Sequence, residues 1–441
     1  MWKYLLKFTT PLLVLVLLLP VGGCKHDPGV SEASGTVQVP SKGEVTHPIP
    51  TQQKTVQVPP EPKATCPTEG KRCVPKAIAT ISVVGNPEDV AANSRTGHVY
   101  VIDGTRHVSV FQEDEHLAAL PMKHNAISSL AVDEERNWVY VTNAYEDSIV
   151  VIRGTEVITT LETVGREPTD VAVEPESGWA YVVSGYRKLP PFGEPPIVEG
   201  NVTVISGDRV VGVVPLGDVV ARHVVADPVN GYVYVGCVKG DVVVLKGMEE
   251  VARFNVGSTA TAMDVDPRTG EVYVLYSAPG DRSLSQFRRG ELIATIGVES
   301  KGGAPRNLRV HPVTGDVYVV DFTRQKVIVV RDMEVIAQVP VGWSPLKMAI
   351  DPLTGNVYVA NFMDDTVTVI HGTEVLATID VGWYPYGIGV NPANGWVYVS
   401  NTNDHTVTVL GFRKEEGRRV FLPIVLKGHS ASLAQSKASV V

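Results

Sequence analysis

Short apolar segments recur along the chain at a regular spacing, separated by polar turns. Eight of them contain the triplet VYV or a close variant, and successive copies between Val99 and Val397 are 40, 41, 53, 39, 45, 40 and 40 residues apart. A repeat of about 40 residues made of short strand-like runs is typical of propeller blades. The pattern predicts an all-β chain, a β-propeller of eight four-stranded antiparallel blades over residues 77–411.

Four strands are predicted in each repeat, and the seventh repeat has the clearest pattern. Val, Ile, Thr and Tyr dominate KMAID (347–351), NVYVA (356–360), TVTVI (366–370) and EVLATIDV (374–381). A DPLTG turn joins the first two strands, and in it the aspartate accepts hydrogen bonds, the proline fixes φ and the glycine takes a positive φ. The pattern favours a hairpin at the start of each blade.

A tyrosine recurs in the second strand of every repeat. A large side chain at this regular strand position indicates packing between neighbouring blades, with the hydroxyl at a polar margin. The eight residues are Tyr100, Tyr140, Tyr181, Tyr234, Tyr273, Tyr318, Tyr358 and Tyr398.

The segment before the first complete repeat is similar to the fourth strand of later repeats. AIATISV (77–83) matches VLATIDV (375–381) almost residue for residue, and the last repeat ends after its third strand. We therefore expect the N-terminal segment to supply the missing fourth strand and close the ring. The alternative is VFLPIVL (420–426), in the C-terminal tail (412–441), although Pro423 makes it a poor interior strand.

The N-terminus has the features of an export signal. Lys3 and Lys7 precede an apolar run over residues 8–19, which is too short for a permanent transmembrane helix. The run is followed by VGGC, which resembles the lipobox of bacterial lipoproteins and implies that Cys24 receives lipid. We expect residues 1–23 to be removed as a signal peptide. Ordinary signal cleavage nearby, with Cys24 incidental, is the alternative.

The segments between the signal and the repeats are predicted to tether the propeller. Residues 24–65 are rich in Pro, Thr, Val, Gln and Lys and lack the apolar periodicity of a packed domain. Cys66 and Cys73 flank a turn in the following loop, 66–76, and are expected to form a small disulfide in an oxidising compartment. Cys237 lies inside a repeat and is expected to be a buried thiol.

Charge and motif content restrict the possible functions. A net charge of -9 and a pI near 5.7 argue against a nucleic-acid partner. The sequence contains no CxxCH, HExxH, G-x-S-x-G or P-loop motif. We therefore assign no cofactor, metal ligand or catalytic residue.

The repeats resemble one known family. The string YVTN stands at 140–143, and the surrounding VG-x-x-P, DP-x-TG-x-VYV-x-N and TVTVI pattern is similar to the YVTN-type β-propeller repeats of bacterial and archaeal surface proteins. The resemblance covers about residues 77–411, and it is specific for the fold but says little about function. Five repeats depart from the asparagine of the motif, with Asp103, Ser184, Cys237, Tyr276 and Asp321.

The resemblance implies that the first strand of each blade is innermost and that the loops preceding these strands open on one face. We call this face the mouth, and ligands of propellers bind there. The expected mouth residues, just before or beside the inner strands, are Asp89, Asp170, Arg222, His223, Arg306, Asn307, Lys347 and Tyr386. Insertions at 187–200 and 297–303 enlarge blades 3 and 6, and the first is expected to project from the mouth unless both are tolerated surface loops.

Two functions remain open from the sequence. The first is a monomeric, lipid-anchored binding or scaffold module on the outer side of the cell membrane, with a protein or glycan ligand from the envelope. The second is a propeller enzyme of lactonase or quinoprotein-dehydrogenase type that uses the central mouth. The mouth residues are of mixed character, with no three carboxylates expected together, and this favours binding over catalysis.

One level of the channel wall is predicted to carry charge. An ungapped alignment of the repeats puts these residues in the middle of the inner strands: Ala91, Ala131, Ala172, Val225, Asp264, Arg309, Ala349 and Gly389. Only Asp264 and Arg309 are charged, and they have opposite signs in consecutive blades. We expect a salt bridge between them across the interface of blades 5 and 6. The alternative is that both face a ligand in the channel.

Overall fold

The chain folds into a ring of eight sheets. The computed structural model describes residues 74–104, 106–123, 127–163, 165–188, 197–278, 281–298 and 305–412. These residues form 32 strands arranged in eight four-stranded antiparallel sheets. Successive sheets contact each other through their innermost strands. The fold is therefore the eight-bladed β-propeller that the repeat spacing predicted.

The first four blades follow one another along the chain, each with its strands ordered from the inner to the outer edge. Blade 1 contains β2 (Pro87–Ala92), β3 (His98–Asp103), β4 (His107–Gln112) and β5 (Glu115–Pro121). Blade 2 contains β6 (Ile127–Asp133), β7 (Trp138–Asn143), β8 (Ser148–Arg153) and β9 (Glu156–Glu162). Blade 3 contains β10 (Pro168–Glu174), β11 (Trp179–Lys188), β12 (Ile197–Ser206) and β13 (Arg209–Gly217). Blade 4 contains β14 (Ala221–Ala226), β15 (Tyr232–Cys237), β16 (Asp241–Lys246) and β17 (Glu249–Asn255).

The remaining blades repeat the same order, except that blade 8 takes its outer strand from the N-terminal side. Blade 5 contains β18 (Ala260–Val265), β19 (Val272–Ala278), β20 (Asp281–Arg288) and β21 (Glu291–Gly297). Blade 6 contains β22 (Pro305–Val310), β23 (Val317–Asp321), β24 (Lys326–Arg331) and β25 (Glu334–Pro340). Blade 7 contains β26 (Pro345–Ile350), β27 (Asn356–Asn361), β28 (Thr366–His371) and β29 (Glu374–Asp380). Blade 8 contains β30 (Pro385–Asn391), β31 (Trp396–Asn401), β32 (Thr406–Gly411) and β1 (Lys76–Ser82).

Strand β1 closes the ring. It pairs antiparallel with β32, with Ile81 opposite Val407. The Val83 N–H then donates to the His405 carbonyl oxygen at 2.9 Å. Blade 8 thus contains strands from both ends of the propeller, and the predicted closure by the N-terminal segment is confirmed.

The predicted turn chemistry is confirmed in the hairpin of blade 7. The Asp351 carboxylate accepts from the Leu353 N–H at 2.9 Å and from the Thr354 hydroxyl at 2.6 Å. Gly355 has a φ of 72°, a left-handed conformation that favours glycine. The residues of DPLTG therefore turn the chain from the inner strand directly into the second strand.

The hydrophobic core lies between the blades. Eight clusters of buried apolar residues are present in the described structure, and each one combines residues from two neighbouring blades. Tyr100 and Val110 of blade 1, for example, pack with Val141 of blade 2. Tyr398 of blade 8 packs with Val101 of blade 1, so the closing interface is built like the others.

The recurring tyrosines connect neighbouring blades, as predicted. All eight are buried. Several hydroxyls also form a hydrogen bond with the backbone of the hairpin between the third and fourth strands of the next blade. These bonds are Tyr100 to Gly154 O at 3.1 Å, Tyr318 to Gly372 O at 3.0 Å, Tyr398 to Glu113 O at 3.0 Å and Gly290 N to Tyr234 at 2.8 Å. The recurring tyrosines, which we call the tyrosine column, therefore add directional hydrogen bonds to the apolar interfaces between neighbouring blades. We call these interfaces the seams.

Several sequence predictions concern residues outside the described structure. These are the signal peptide, the lipidated Cys24, the tether, the Cys66–Cys73 disulfide, the VFLPIVL segment and the tail beyond residue 412. Within the described residues, the only helical segment is a 3-10 turn at Val238–Gly240, and no helix is long and apolar enough to cross a membrane. Cys237 is buried, as expected, and burial raises the pKa of its thiol to about 12.

We predict that Tyr398→Phe destabilises the ring. The change removes the hydrogen bond to the Glu113 carbonyl across the closing interface, and we expect the free energy of unfolding to fall by about 1 kcal/mol. Tyr181→Phe is the matched control, because the Tyr181 residue is also buried but its hydroxyl forms no hydrogen bond to a described residue of the next blade. Denaturant unfolding of both variants checks this, and equal losses in the two would contradict the assigned role of the hydroxyl.

Candidate functional site

The mouth is formed by the N-terminal ends of the eight inner strands. The predicted mouth residues lie at the second or third position of these strands, and so within the strands themselves. The five residues expected just before the inner strands instead each lie at the third position of a strand, because pairing with the second strand already begins at the first residue of the inner strand, as at Pro87 and Pro305. The side chains at this level therefore come from a rigid part of each blade.

Lys347 connects blade 7 to blade 1. Its Nζ lies 2.8 Å from Asp89 Oδ1 and 5.2 Å from the centre of the Tyr386 ring. Blade 8 lies between these two blades, and its residue at the same level is Gly387. A Cβ at Gly387 would lie 2.3 Å from the Glu88 carbonyl oxygen, so only glycine lets blade 1 approach this closely. The structure thus brings Asp89, Lys347 and Tyr386 together, three of the predicted mouth residues. Lys347 reaches Asp89 past Gly387, the residue of blade 8 at the same strand position.

A second polar group lies on the other side of the mouth. Asp170 accepts a hydrogen bond from the Ser129 hydroxyl at 2.7 Å and from the Val224 N–H at 3.2 Å. His223 Nδ1 lies 3.7 Å from Asp170 Oδ2. Asp170, in blade 3, therefore connects blade 2 to blade 4. The hydrogen bonds that its carboxylate accepts position the inner strands of these blades.

The other predicted mouth residues are spread around the ring. The Arg306 guanidinium lies 5.0 Å from the centre of the Phe322 ring. The Asn307 side-chain oxygen is buried and has no hydrogen-bond partner among the described residues. Arg222 is exposed. The eight predicted residues therefore form two groups and a scattered remainder, with no single centre.

Two exposed tryptophans on the mouth face were missed by the sequence analysis. Trp343 and Trp383 stand in the loops VGWSP and VGWYP, which lead into the inner strands of blades 7 and 8. They are 56% and 52% exposed. The signal was available, because two consecutive repeats have a tryptophan at a position where large apolar residues are not needed for packing between blades.

The two tryptophan loops are held in the same way. The Trp343 N–H donates to Asp364 Oδ2 and the Trp383 N–H donates to Asp404 Oδ2, each at 2.7 Å. The Met363 N–H also donates to the Trp343 carbonyl at 3.2 Å. Each loop is thus fixed by the loop between the second and third strands of its own blade, and the indoles are presented from a defined backbone.

Further aromatic rings lie beside these loops. Phe362 stacks on Tyr384, with ring centres 4.8 Å apart, and meets Tyr386 edge to face at 6.4 Å. Together with Trp343 and Trp383 they form an aromatic sector on blades 7 and 8. The sector adjoins the Lys347–Asp89 ion pair through Tyr386.

Glu88 adds an acidic group at the same place. Burial raises the pKa of its carboxyl, and the charge of Lys347 opposes this shift. The neighbouring carboxylates of Asp89 and Asp103 raise the Glu88 pKa further. Folding therefore favours the protonated form of Glu88.

The predicted salt bridge between Asp264 and Arg309 is not formed. No ion pair joins them among the described residues, because each is oriented by a nearer backbone group. Asp264 Oδ2 accepts from the Val310 N–H of blade 6 at 2.8 Å, and Arg309 Nη1 donates to the Leu308 carbonyl at 3.1 Å. Burial raises the pKa of Asp264, and the charge of Arg309 lowers it, so the two side chains interact through space without direct contact.

The insertion in blade 3 extends a hairpin. Strands β11 and β12 are ten residues each, and their pairing continues to Lys188 and Ile197. Residues 189–196, at the end of this hairpin, and most of the insertion at 297–303 lie outside the described residues. The hairpin leaves the body of blade 3 at the end of the second strand, on the mouth side of the ring.

The comparisons with known proteins support the fold alone. No family model and no curated protein matches the chain. Among solved structures, Kuenenia stuttgartiensis hydrazine synthase is similar, with a TM-score of 0.53 and 14% identity, covering 78% of this chain and 99% of that chain. Such a likeness shows a shared propeller and transfers no chemistry. Within the described residues, no group of three or more His, Cys, Asp or Glu side chains could hold a metal ion.

We predict that Glu88→Gln stabilises the propeller in a pH-dependent way. The pKa of Glu88 is raised above 4.5 in the folded state, so its favourable contribution is present below pH 4.5 and is lost as the pH rises through the folded pKa. The variant is therefore expected to gain stability relative to the native chain as the pH rises from about 4 to about 7. Thermal unfolding across this range checks the prediction, with the exposed Glu334→Gln as control. A pH-independent difference between Glu88→Gln and the native chain would contradict it.

Proposed function

We propose that this chain is an exported, lipid-anchored binding propeller that displays its mouth to ligands of the cell envelope or the extracellular space. The lipobox-like VGGC and the tether predicted over residues 24–65 support the anchor and the reach. The rigid ring supports a role in presenting a surface. The resemblance to YVTN-type surface proteins is consistent with this location.

The observation that carries the proposed binding role is the aromatic sector. Trp343 and Trp383 each leave more than half of their surface exposed, although a buried aromatic side chain would stabilise the fold. Tryptophan and tyrosine are the residues that most often dominate binding energy at recognition surfaces. Since the loops are fixed by hydrogen bonds to Asp364 and Asp404, a ligand would find the sector already ordered, which lowers the entropic cost of binding.

The polar neighbours of the sector support ligand orientation. Lys347, Asp89 and Glu88 lie beside Tyr386 and offer both donors and acceptors next to an apolar surface. A few polar groups beside aromatic rings are the usual composition of a specific binding site. Both a protein segment and a glycan fit this combination of rings, donors and acceptors.

The binding proposal is tested by capture from envelope extract with the full-length chain purified in detergent. We expect the Trp343→Ala, Trp383→Ala double variant to lose at least about 90% of the captured ligand, since each tryptophan contributes on the order of 2 kcal/mol as a binding hot spot. Leu353→Ala is the control, because Leu353 is 54% exposed in a turn at the opposite end of the ring.

Two pretreatments of the extract identify the ligand class. Protease treatment removes a protein ligand, whereas periodate oxidation removes a glycan. The proposed role of the aromatic sector would be contradicted if the double variant captured as much ligand as the native chain and Leu353→Ala.

The anchor is tested separately. We predict that the chain incorporates labelled fatty acid in a lipoprotein-processing bacterial host and fractionates with the membrane, and that Cys24→Ser abolishes both. Cys237→Ser controls for acylation at another thiol, because Cys237 is buried in blade 4. Unchanged labelling of Cys24→Ser would contradict lipidation at this residue.

A further inference from the structure

A cavity lies in the central channel at the end opposite the mouth. Its volume is about 380 Å³, and it is lined by the second halves of the inner strands and the following proline turns of blades 5 to 8, with Val90 from blade 1. This volume is within the range of about 300–1,000 Å³ typical of small-molecule sites. The cavity therefore has the size of a ligand site and is separate from the aromatic sector.

The lining of the cavity is strongly asymmetric. Asp264 of blade 5 and Arg309 of blade 6 are its two charged residues. The remaining wall, from blades 7, 8 and 1, is apolar and includes Met348, Ile350 and Ile388. A ligand that fits both sides must carry charge at one end and an apolar group at the other.

Asp264 and Arg309, on the polar side of the cavity, form no direct ion pair with each other. A guanidinium has five N–H donors, and Arg309 uses one in a hydrogen bond to a described residue, the Leu308 carbonyl. Asp264 is fixed by the Val310 N–H, which holds its carboxylate at the cavity wall. The two groups are thus positioned independently, and no direct ion pair of described residues must be broken before a ligand binds.

We propose that this cavity binds a small zwitterion with an apolar side chain, that is, an α-amino acid of the leucine type. The carboxylate of the ligand accepts hydrogen bonds from Arg309, and its ammonium group donates to Asp264. Its side chain packs against Met348, Ile350 and Ile388. A simple anion would face the Asp264 carboxylate, and a simple cation would face the Arg309 guanidinium, so each matches only half of the polar side.

The test is isothermal titration of the full-length chain, purified in detergent, with three probes of similar shape. L-leucine carries both charges, 4-methylpentanoate carries the carboxylate alone, and 3-methylbutylamine carries the ammonium group alone. We expect saturable binding of L-leucine, with a dissociation constant at least about tenfold lower than those of the other two probes. No saturable binding of L-leucine, or equal affinity for a singly charged probe, would overturn the proposal.

Two variants locate the binding. Asp264→Asn keeps an oxygen that can accept from the Val310 N–H, and Arg309→Met keeps an unbranched side chain of similar length without charge. Each should weaken L-leucine binding by at least about tenfold, whereas Arg324→Met, in the exposed loop between the second and third strands of blade 6, should leave it unchanged. Thermal unfolding of each variant checks that the ring is intact, and if one variant does not fold, the other still decides. The proposal would be overturned if either cavity variant folded and bound L-leucine with the same affinity as the native chain.

Failure of this test leaves the proposed role of the mouth untouched. The cavity and the aromatic sector share no residue, and the capture experiment depends only on the tryptophan loops. The two results are therefore independent.

Discussion

Contact between neighbouring blades is the interaction on which the rest of this structure depends. A four-stranded sheet of this kind has two apolar faces, and each can be buried only against the next sheet. Every core cluster accordingly draws on two blades, and the tyrosine column adds hydrogen bonds across the same seams. The ring must close for all the seams to be equivalent. β1 makes this possible, because it completes blade 8 and removes the open edge between the chain ends.

The sequence was sufficient for the features that repeat. The spacing of the VYV triplets predicted the blades, and the likeness of residues 77–83 to a fourth strand predicted the closure. Both follow from the period of the apolar residues, which many positions specify together. The turn aspartates and glycines were predictable for the same reason, because the local backbone requires them, as Asp351 and Gly355 illustrate.

The features that do not repeat were less predictable. The alignment put Asp264 and Arg309 at one level of the channel, and the structure keeps them there, but the nearest partner of each is a backbone group, which an alignment of side chains does not reveal. Lys347 reaches Asp89 across blade 8 because Gly387 has no side chain, a relation between residues 258 positions apart. The sequence contained a signal for Trp343 and Trp383, a tryptophan at the same position of two consecutive repeats, but their exposure is a property of the folded loops.

Closure of the ring by the N-terminal strand is a property that hydrogen exchange followed by mass spectrometry can measure, because exchange reports the protection of each strand in the native protein. We expect β1, the fourth strand of blade 8, to be protected to the same degree as β29, the fourth strand of blade 7. Fast exchange in β1 beside slow exchange in β29 would contradict closure by this strand.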